Sequence, residues 1–434
     1  MNRLLIIIIS VFAIASITQS QSMPHCQLSP FGVITVDPDL EVNGQGQNVD
    51  SIEFWKAPDS SQTLMFVTAK GNHLVEVWKY PFAGNEQTPL THSTFNNSQV
   101  NGIAIDQQEN LLYIAVGEPS STVSVFSLPA LSFQFNFNQN GKNYHSEPNL
   151  ALLILPNGDK NIYVSADFTV DIHNATTGNF LNDFTPERGL ETIAPDTFYE
   201  RLYIPDENNR TGVYVYNPNG TLHDQNGSNN FGNGEFNADA EGIIVYNCPL
   251  SNSKDNGEGF IVVSDQRGNL TDFEFFDRNT WEHLGVLNIT GVSNTDGIAS
   301  FPYPLPDYPL GVFAALNDDK SVAIVGWDKI FNEIFPDSSG SSSGSLPDIF
   351  RLMQNYPNPF NYDTIIGYTI VSPSSVSLII YDVLGNEIST LVNEGQEEGD
   401  YEVTFNASDL TSGVYYYRLK AGSLVKSRKM VLLK

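Results

Sequence analysis

Along most of this chain apolar and polar residues alternate with a period of two rather than 3.6, in short runs rich in Val, Ile, Tyr and Phe bounded by Gly, Asn, Asp and Pro. Such runs are half-buried strands, and helical periodicity is nearly absent, so the pattern predicts an all-β protein. Between residues 50 and 330 one three-strand phrase recurs six times. Its first strand reads SIEFW (51–55), GIAID (102–106), LALLI (150–154), TIAPD (192–196), GIIVY (242–246) and GIASF (297–301). The second runs from LMFVTA (64–69) to GVFAAL (311–316), and the third from VEVWKY (75–80) to SVAIVG (321–326). A more variable fourth strand fits between copies, as in FQFNF (133–137) and HLGVLNI (283–289). The copies start roughly every 40 to 55 residues, the period of a four-stranded propeller blade. One such sheet cannot bury both faces alone, so the six copies are expected to close into a six-bladed β-propeller. VITVDPDLEV (33–42) is expected to supply the outer strand of the last blade and lock the ring. A pair of β-sandwiches would show the same strand spacing.

Three segments break the repeat. Residues 1–22 combine a short basic start, the apolar run LLIIIISVFAIASI and the small polar TQSQS, which reads as a secretory signal peptide. No other stretch approaches the ~20 apolar residues of a membrane span, so no transmembrane segment is expected after signal removal. The propeller is assigned to 24–335, and DSSGSSSGSLPD marks a Ser/Gly-rich linker at 336–348. Residues 349–434 carry some seven alternating strands with Gly/Asn turns, which predicts a small Ig-like β-sandwich.

Charge narrows the partners. The formal net charge is −29, nearly all of it between the signal peptide and the linker. Nucleic acid is excluded as a partner, because phosphate-backbone binding needs clustered Lys and Arg. Carboxylates at this density suit a solvated exterior and supply ligands for hard cations such as Ca²⁺. The only two cysteines, Cys26 and Cys248, stand in an exported chain where a disulfide persists, although spacing leaves their pairing open.

One chemical position recurs. Directly before the first strand of each copy stands an oxygen-bearing side chain: Asp50, Asn101, Asn149, Glu191, Glu241 and Asp296. The first strands of a propeller line its axial channel, so these groups are expected to meet at one mouth. Clustered carboxylates repel unless protonated or neutralised by a cation, and hard oxygens in a roomy ring suit Ca²⁺. Asp206, Glu207 and Asp239 lie close by in sequence and could help to hold more than one ion. Turn preference explains Asp and Asn at strand entries, but not Glu191 and Glu241. No Ser/His/Asp, Cys/His or zinc-type spacing is present, which leaves metal-activated water as the candidate chemistry.

The stretches NADAEGIIVYN (237–247), GFIVVSDQRGNLTDFEFFDR (259–278), GVSNTDGIAS (291–300) and GLETIAPDTFYERLYIPDENN (189–209) resemble consecutive motifs of the β-propeller phytases. That resemblance implies a hydrolase that releases phosphate from inositol hexakisphosphate or related small phosphate esters with several Ca²⁺ ions. It implies metal-site roles for Asp50, Glu191, Asp206, Glu207, Asp239, Glu241, Gln266 and Asp296, with Glu191, Glu241 and Asp296 at the catalytic centre. Lys70 and Arg267 would approach substrate phosphates. The chain departs from the family in QVNGIAID (99–106), which lacks a cation, in SADFTVD (165–171), which lacks a Lys, and in the turn lengthened by Arg267. NGIAIDQQENLLYIAV (101–116) resembles instead the lactonase-type (SMP-30/gluconolactonase-like) Ca²⁺ propellers, and a non-catalytic cell-surface binding propeller is a third reading.

The tail, through NYPNPFNYDT (355–364), VSLIIYDVLGNEISTLV (376–392) and GDYEVTFNASDLTSGVYYYRL (399–419), resembles the C-terminal sorting domain of the type IX secretion system. This implies recognition by that machinery at the outer membrane and a secreted or surface-attached product. A monomer is expected.

Overall fold

The computed structural model describes residue 26 and residues 28–335 and 351–433, apart from 45–47, 85–94, 96–97, 139–143, 145–146, 167, 188–191, 207–210, 226, 249–254, 256, 353–354, 356–357, 371–372, 384, 398 and 423. The signal peptide and the linker lie outside the described residues. The rest divides into two compact units, the repeats and the C-terminal strands.

The repeats form six sheets, antiparallel except for one added strand, and their innermost strands follow one another around a ring. These strands are Val49–Trp55, Val100–Asp106, Leu150–Ile154, Ala194–Asp196, Asp239–Asn247 and Ile298–Phe301, and they begin blades one to six. Period-two alternation explains the closure: on one strand Phe54 packs toward blade six while its neighbour Trp55 packs toward blade two. Each face of each blade is therefore half of a hydrophobic core. Six such cores lie between successive blades, and the last, between blades six and one, completes the circle. The all-β, six-bladed reading is what these cores require, and the alternative of paired sandwiches fails on them.

The N-terminal segment closes the ring in a way the sequence reading only half anticipates. Leu40–Asn43 is the outer strand of blade six, antiparallel to Ser321–Gly326, as expected. Val33–Val36, however, turns to blade five and pairs parallel with His283–Ile289 as a fifth strand. Asp39 holds the corner by accepting bonds from Gly326 N (2.8 Å) and Lys329 Nζ (2.9 Å). Just upstream, Cys26 and Cys248 form a disulfide with a Cα separation of 5.3 Å, so the pairing that spacing leaves open does occur. It ties the N-terminus to blade five across 222 residues. Substituting Cys248→Ser is expected to cost about 2–4 kcal/mol, a typical value for a disulfide closing a long loop. All four tryptophans lie in the propeller, so tryptophan fluorescence against urea measures that loss directly.

One helix, Trp327–Ile334, was not foreseen. It buries Trp327, Ile330 and Phe331 against blades five and six, where Trp327 meets Tyr246 edge-on at 4.7 Å.

The C-terminal unit is a seven-stranded sandwich. A three-stranded sheet (Arg351–Leu352, Asp363–Ile370, Gly399–Asn406) faces a four-stranded one (Glu387–Gln396, Ser374–Tyr381, Gly413–Ala421, Leu424–Leu432). Both contribute to one core that includes Ile366, Tyr368, Leu378, Tyr417 and Leu419.

Candidate metal and phosphate site at the channel mouth

Local backbone irregularity aims the recurring oxygens. In blades one, two and five the pairing register slips between Val49 and Ile52, Val100 and Ile103, and Ala240 and Ile243. The residues spanned are Asp50-Ser51, Asn101-Gly102 and Glu241-Gly242, the oxygen-bearing residue and the small residue after it. A bulge at this point turns the side chain out of the ladder and toward the axis. Its backbone amides are satisfied by hydroxyls from the second strand: Ser51 N donates to Thr68 Oγ1 (2.9 Å) and Gly242 N to Ser264 Oγ (2.7 Å). Blade three uses a related contact without a register slip, the amide of Asn149 itself donating to Ser165 Oγ (2.6 Å).

The small residue has a steric cause. A Cβ on Gly242 would lie 2.5 Å from the carbonyl oxygen of Asp296, and one on Gly297 would collide with the carbonyl of Asp50. Glycine thus lets the entries of blades two, five and six, at Gly102, Gly242 and Gly297, pass against the backbone of the following blade at Asn149, Asp296 and Asp50.

Asp50, Asn101, Asn149 and Asp296 all line the axial cavity, as do Thr192 and Gly242, the residues that follow Glu191 and Glu241. The cavity is about 270 Å³, below the ~300–1,000 Å³ that enclose a drug-sized ligand. It accommodates ions and water rather than a drug-sized molecule.

The expected residues fall in several places. Asp50 is buried and paired with buried Lys70 at 2.6 Å, and Lys70 also reaches Glu147 at 3.5 Å. Asp296 accepts a bond from Gln266 Nε2 at 2.8 Å. Glu241 is buried at its bulge, and Asp239, two residues earlier, is exposed opposite Gln266 in the ladder. Asp206 is fully buried in blade four, where it accepts a bond from Thr211 Oγ1. Glu191 and Glu207 lie outside the described residues. Arg267 turns onto Asp272 (2.5 Å) and Asp265 (3.5 Å) of its own blade rather than standing open for phosphate.

Five carboxylates outside the recurring position join the picture only in the structure: Glu53, Asp319, Glu274, Asp265 and Asp272. Glu53 lines the channel, and burial pushes its carboxyl up to about 7, opposed by a bond from Phe54 N. Asp319 stands in the tight turn after the second strand of blade six, and its charge acts on both Asp296 and Lys70. Its signal was positional, since Lys70 occupies the corresponding turn of blade one. Glu274 joins Asp265 and Asp272 in a buried triad in blade five, with their carboxylate oxygens within 4.8 Å of one another. His283 Nε2 faces Glu274 at 2.6 Å.

Electrostatics show what the mouth lacks. Burial, then the charges of Asp50 and Asp319, push Asp296 up to about 6, and Lys70 and Gln266 pull the other way without cancelling them. For Lys70 burial alone would favour the neutral amine, but Asp50, Glu147 and Asp296 outweigh it and hold the ammonium firmly protonated. One internal cation is not enough for this set of acids. An unfolded Asp titrates near 4, so between about pH 4 and 6 the folded state keeps a proton that the unfolded state has lost. Without divalent cations, the stability due to Asp296 is therefore present below about pH 4 and lost as pH rises through 6. The difference in unfolding midpoint between the native chain and Asp296→Asn, followed in EDTA from pH 4 to 7, should trace that loss.

The donors fit a hard divalent ion. All are carboxylate or amide oxygens, and Asn101 Oδ1 is buried at the mouth with no hydrogen-bond partner, an acceptor unsatisfied by protein.

Fold and site together define a six-bladed propeller with an oxygen-lined axial mouth. Comparison with known families makes the assignment. Residues 60–338 match the phytase family model, and residues 354–433 match the secretion system C-terminal sorting domain. The chain belongs to the phytase family, fused to a type IX sorting domain, and is a secreted or cell-surface protein. Among solved structures it is similar to the RRP9 WD40 repeats (13% identity, TM-score 0.43, covering 67% of this chain and 80% of that one). It is also similar to the Pan2 WD40 domain of Neurospora crassa (10% identity, TM-score 0.42, covering 65% and 76%).

Proposed function

We propose that this protein is a secreted, Ca²⁺-dependent phosphomonoester hydrolase acting on inositol hexakisphosphate or related phosphate esters. The observation that carries this reading is the excess of converging oxygens at the channel mouth, in a chain of the phytase family. Glu241, Asp296 and Asp50 would hold Ca²⁺ with Asn101, and Glu191 is assigned beside them on its sequence position. Asp206, Glu207, Asp239 and Gln266 are proposed to complete the surroundings. When bound, Ca²⁺ offsets the charge of both carboxylates and phosphate and acidifies a coordinated water. Gln266 orients Asp296 by donating to it. Lys70, buried and anchored by Asp50, would direct a fixed positive charge from beneath the mouth toward phosphate oxygens bound there. We assign residues 1–22 to the signal peptide, 24–335 to the propeller, 336–348 to the linker and 349–434 to the sorting domain.

Phosphate release from inositol hexakisphosphate, with and without EDTA and beside a simple lactone, tests the reading. Chelator-sensitive release is expected. Lactone cleavage without phosphate release would move the protein to the lactonase class.

Lys70 separates two roles. Lys70→Met removes the cation that competes with a metal for Asp50, so Ca²⁺ affinity by calorimetry should rise about tenfold, while KM for the phosphate ester increases. An unchanged Ca²⁺ affinity would remove Asp50 from the metal site.

A further inference from the structure

The sorting domain separates its charge sharply. Residues 348–409 hold ten Asp or Glu and one Arg, whereas residues 413–434 hold six Lys or Arg and no acid. The basic stretch is the hairpin Gly413–Ala421 and Leu424–Leu432, which forms one side of the four-stranded sheet, and the acidic strand Glu387–Gln396 forms the other. Strand alternation then sorts the hairpin's side chains. Tyr417 and Leu419 enter the core, so Tyr416, Arg418 and Lys420 point outward. Register places Lys429 beside Tyr416 and Val425 beside Lys420 on the same outer face. Arg418 lies over the ring of Tyr381 at 5.0 Å, on the next strand. Tyr416 is 42% exposed and Val425 53%.

We infer that this face is a docking surface for a phosphate-bearing, anionic membrane surface. Charge complementarity makes the case, because three cations share the outer face of a hairpin that carries no carboxylate, with Glu387 standing beyond Tyr381 on the far edge of the sheet, in a chain of net charge −29. Exposed Tyr416 adds an amphipathic ring of the kind that settles at a lipid headgroup boundary, and exposed Val425 adds apolar surface on the same face. Repulsion from the acidic propeller is screened beyond about 10 Å at 0.1 M salt, so a local basic face can bind where the whole protein would be repelled. The chain is exported past membranes, and this contact would hold the sorting domain at the lipid surface independently of any hydrolase activity in the propeller.

Cosedimentation of the mature full-length chain with vesicles tests the inference, in EDTA and 0.1 M NaCl. Binding to phosphatidylcholine vesicles containing phosphatidylglycerol is expected, with none to phosphatidylcholine alone and loss at 0.5 M NaCl. Replacing Arg418, Lys420 and Lys429 together with Gln should lower the partition constant by on the order of a hundredfold, about fivefold per cation. Calorimetric unfolding of this variant should match the native chain, since all three side chains are exposed. Equal partitioning of native and triple variant, or no binding to anionic vesicles, overturns the proposal. Binding to soluble polyglutamate through the same three residues without vesicle binding would overturn it in favour of an acidic protein partner.

Discussion

Replacing Glu241 or Asp296 with Ala is expected to lower Ca²⁺ affinity by at least about 100-fold and to abolish chelator-sensitive phosphate release. The distinguishing feature is that stability should move the other way. Asp296 is charged at neutral pH against burial and against Asp50 and Asp319, so Asp296→Ala or Asp296→Asn should stabilise the Ca²⁺-free protein while removing stabilisation by Ca²⁺. A substitution that merely damaged the fold would lower both. Titrating Ca²⁺ against the unfolding midpoint of each variant, beside the activity assay, separates the cases. Full activity in both variants would sink the assignment of the site to the channel mouth.

How much of this was legible in the sequence depends on the range of the interaction concerned. Blade count and ring closure follow from a period-two pattern in which each face of a strand such as SIEFW must find its own partner, and local sequence carries that. The recurring oxygen position was also legible, because a dipeptide like Glu241-Gly242 repeats at the blade period. What gathers these oxygens was not: the bulge that turns each side chain lies in the pairing of a blade's first and second strands, and the glycine that lets Asp296 approach Gly242 answers a contact between blades. The same limit applied to Val33–Val36, whose choice of blade five over blade six rests on pairing with His283–Ile289, some 250 residues away along the chain. Arg267 reads as a free cation in sequence and is engaged by Asp272 because alternation on adjacent strands puts both at one end of blade five. The helix Trp327–Ile334 was missed for a different reason. Its apolar residues Trp327, Ile330, Phe331 and Ile334 do stand at helical spacing, but over only eight residues, too short a run to stand out beside the repeated strands.

The largest effect on stability is expected far from the mouth, at Arg278. This guanidinium is 1% exposed, and it joins blade five to blade four through Asp196, with Nε donating at 2.7 Å and Nη2 at 2.6 Å. Its Nη1 and Nη2 also donate to Asp255, at 2.8 and 2.7 Å, and Nη1 reaches the Glu258 carbonyl at 3.1 Å. Asp196 is 1% exposed, and its remaining bonds from Phe198 N, Tyr199 N and Tyr203 Oη are too few to replace an ion pair. Arg278→Met keeps most of the volume but strands that carboxylate, for an expected loss of about 3–5 kcal/mol. Asp255→Asn should cost less than Arg278→Met, because Arg278 keeps its two bonds to Asp196 and the asparagine Oδ1 still accepts from the guanidinium. Adding Asp196→Asn to Arg278→Met removes the stranded charge and should recover part of the loss, because the penalty belongs to the unpaired group rather than to the missing contact. A double-mutant cycle in urea, read by tryptophan fluorescence, checks this. Simple additivity of the two substitutions would mean that the pair is not coupled and that the junction between blades four and five is held by its apolar core alone.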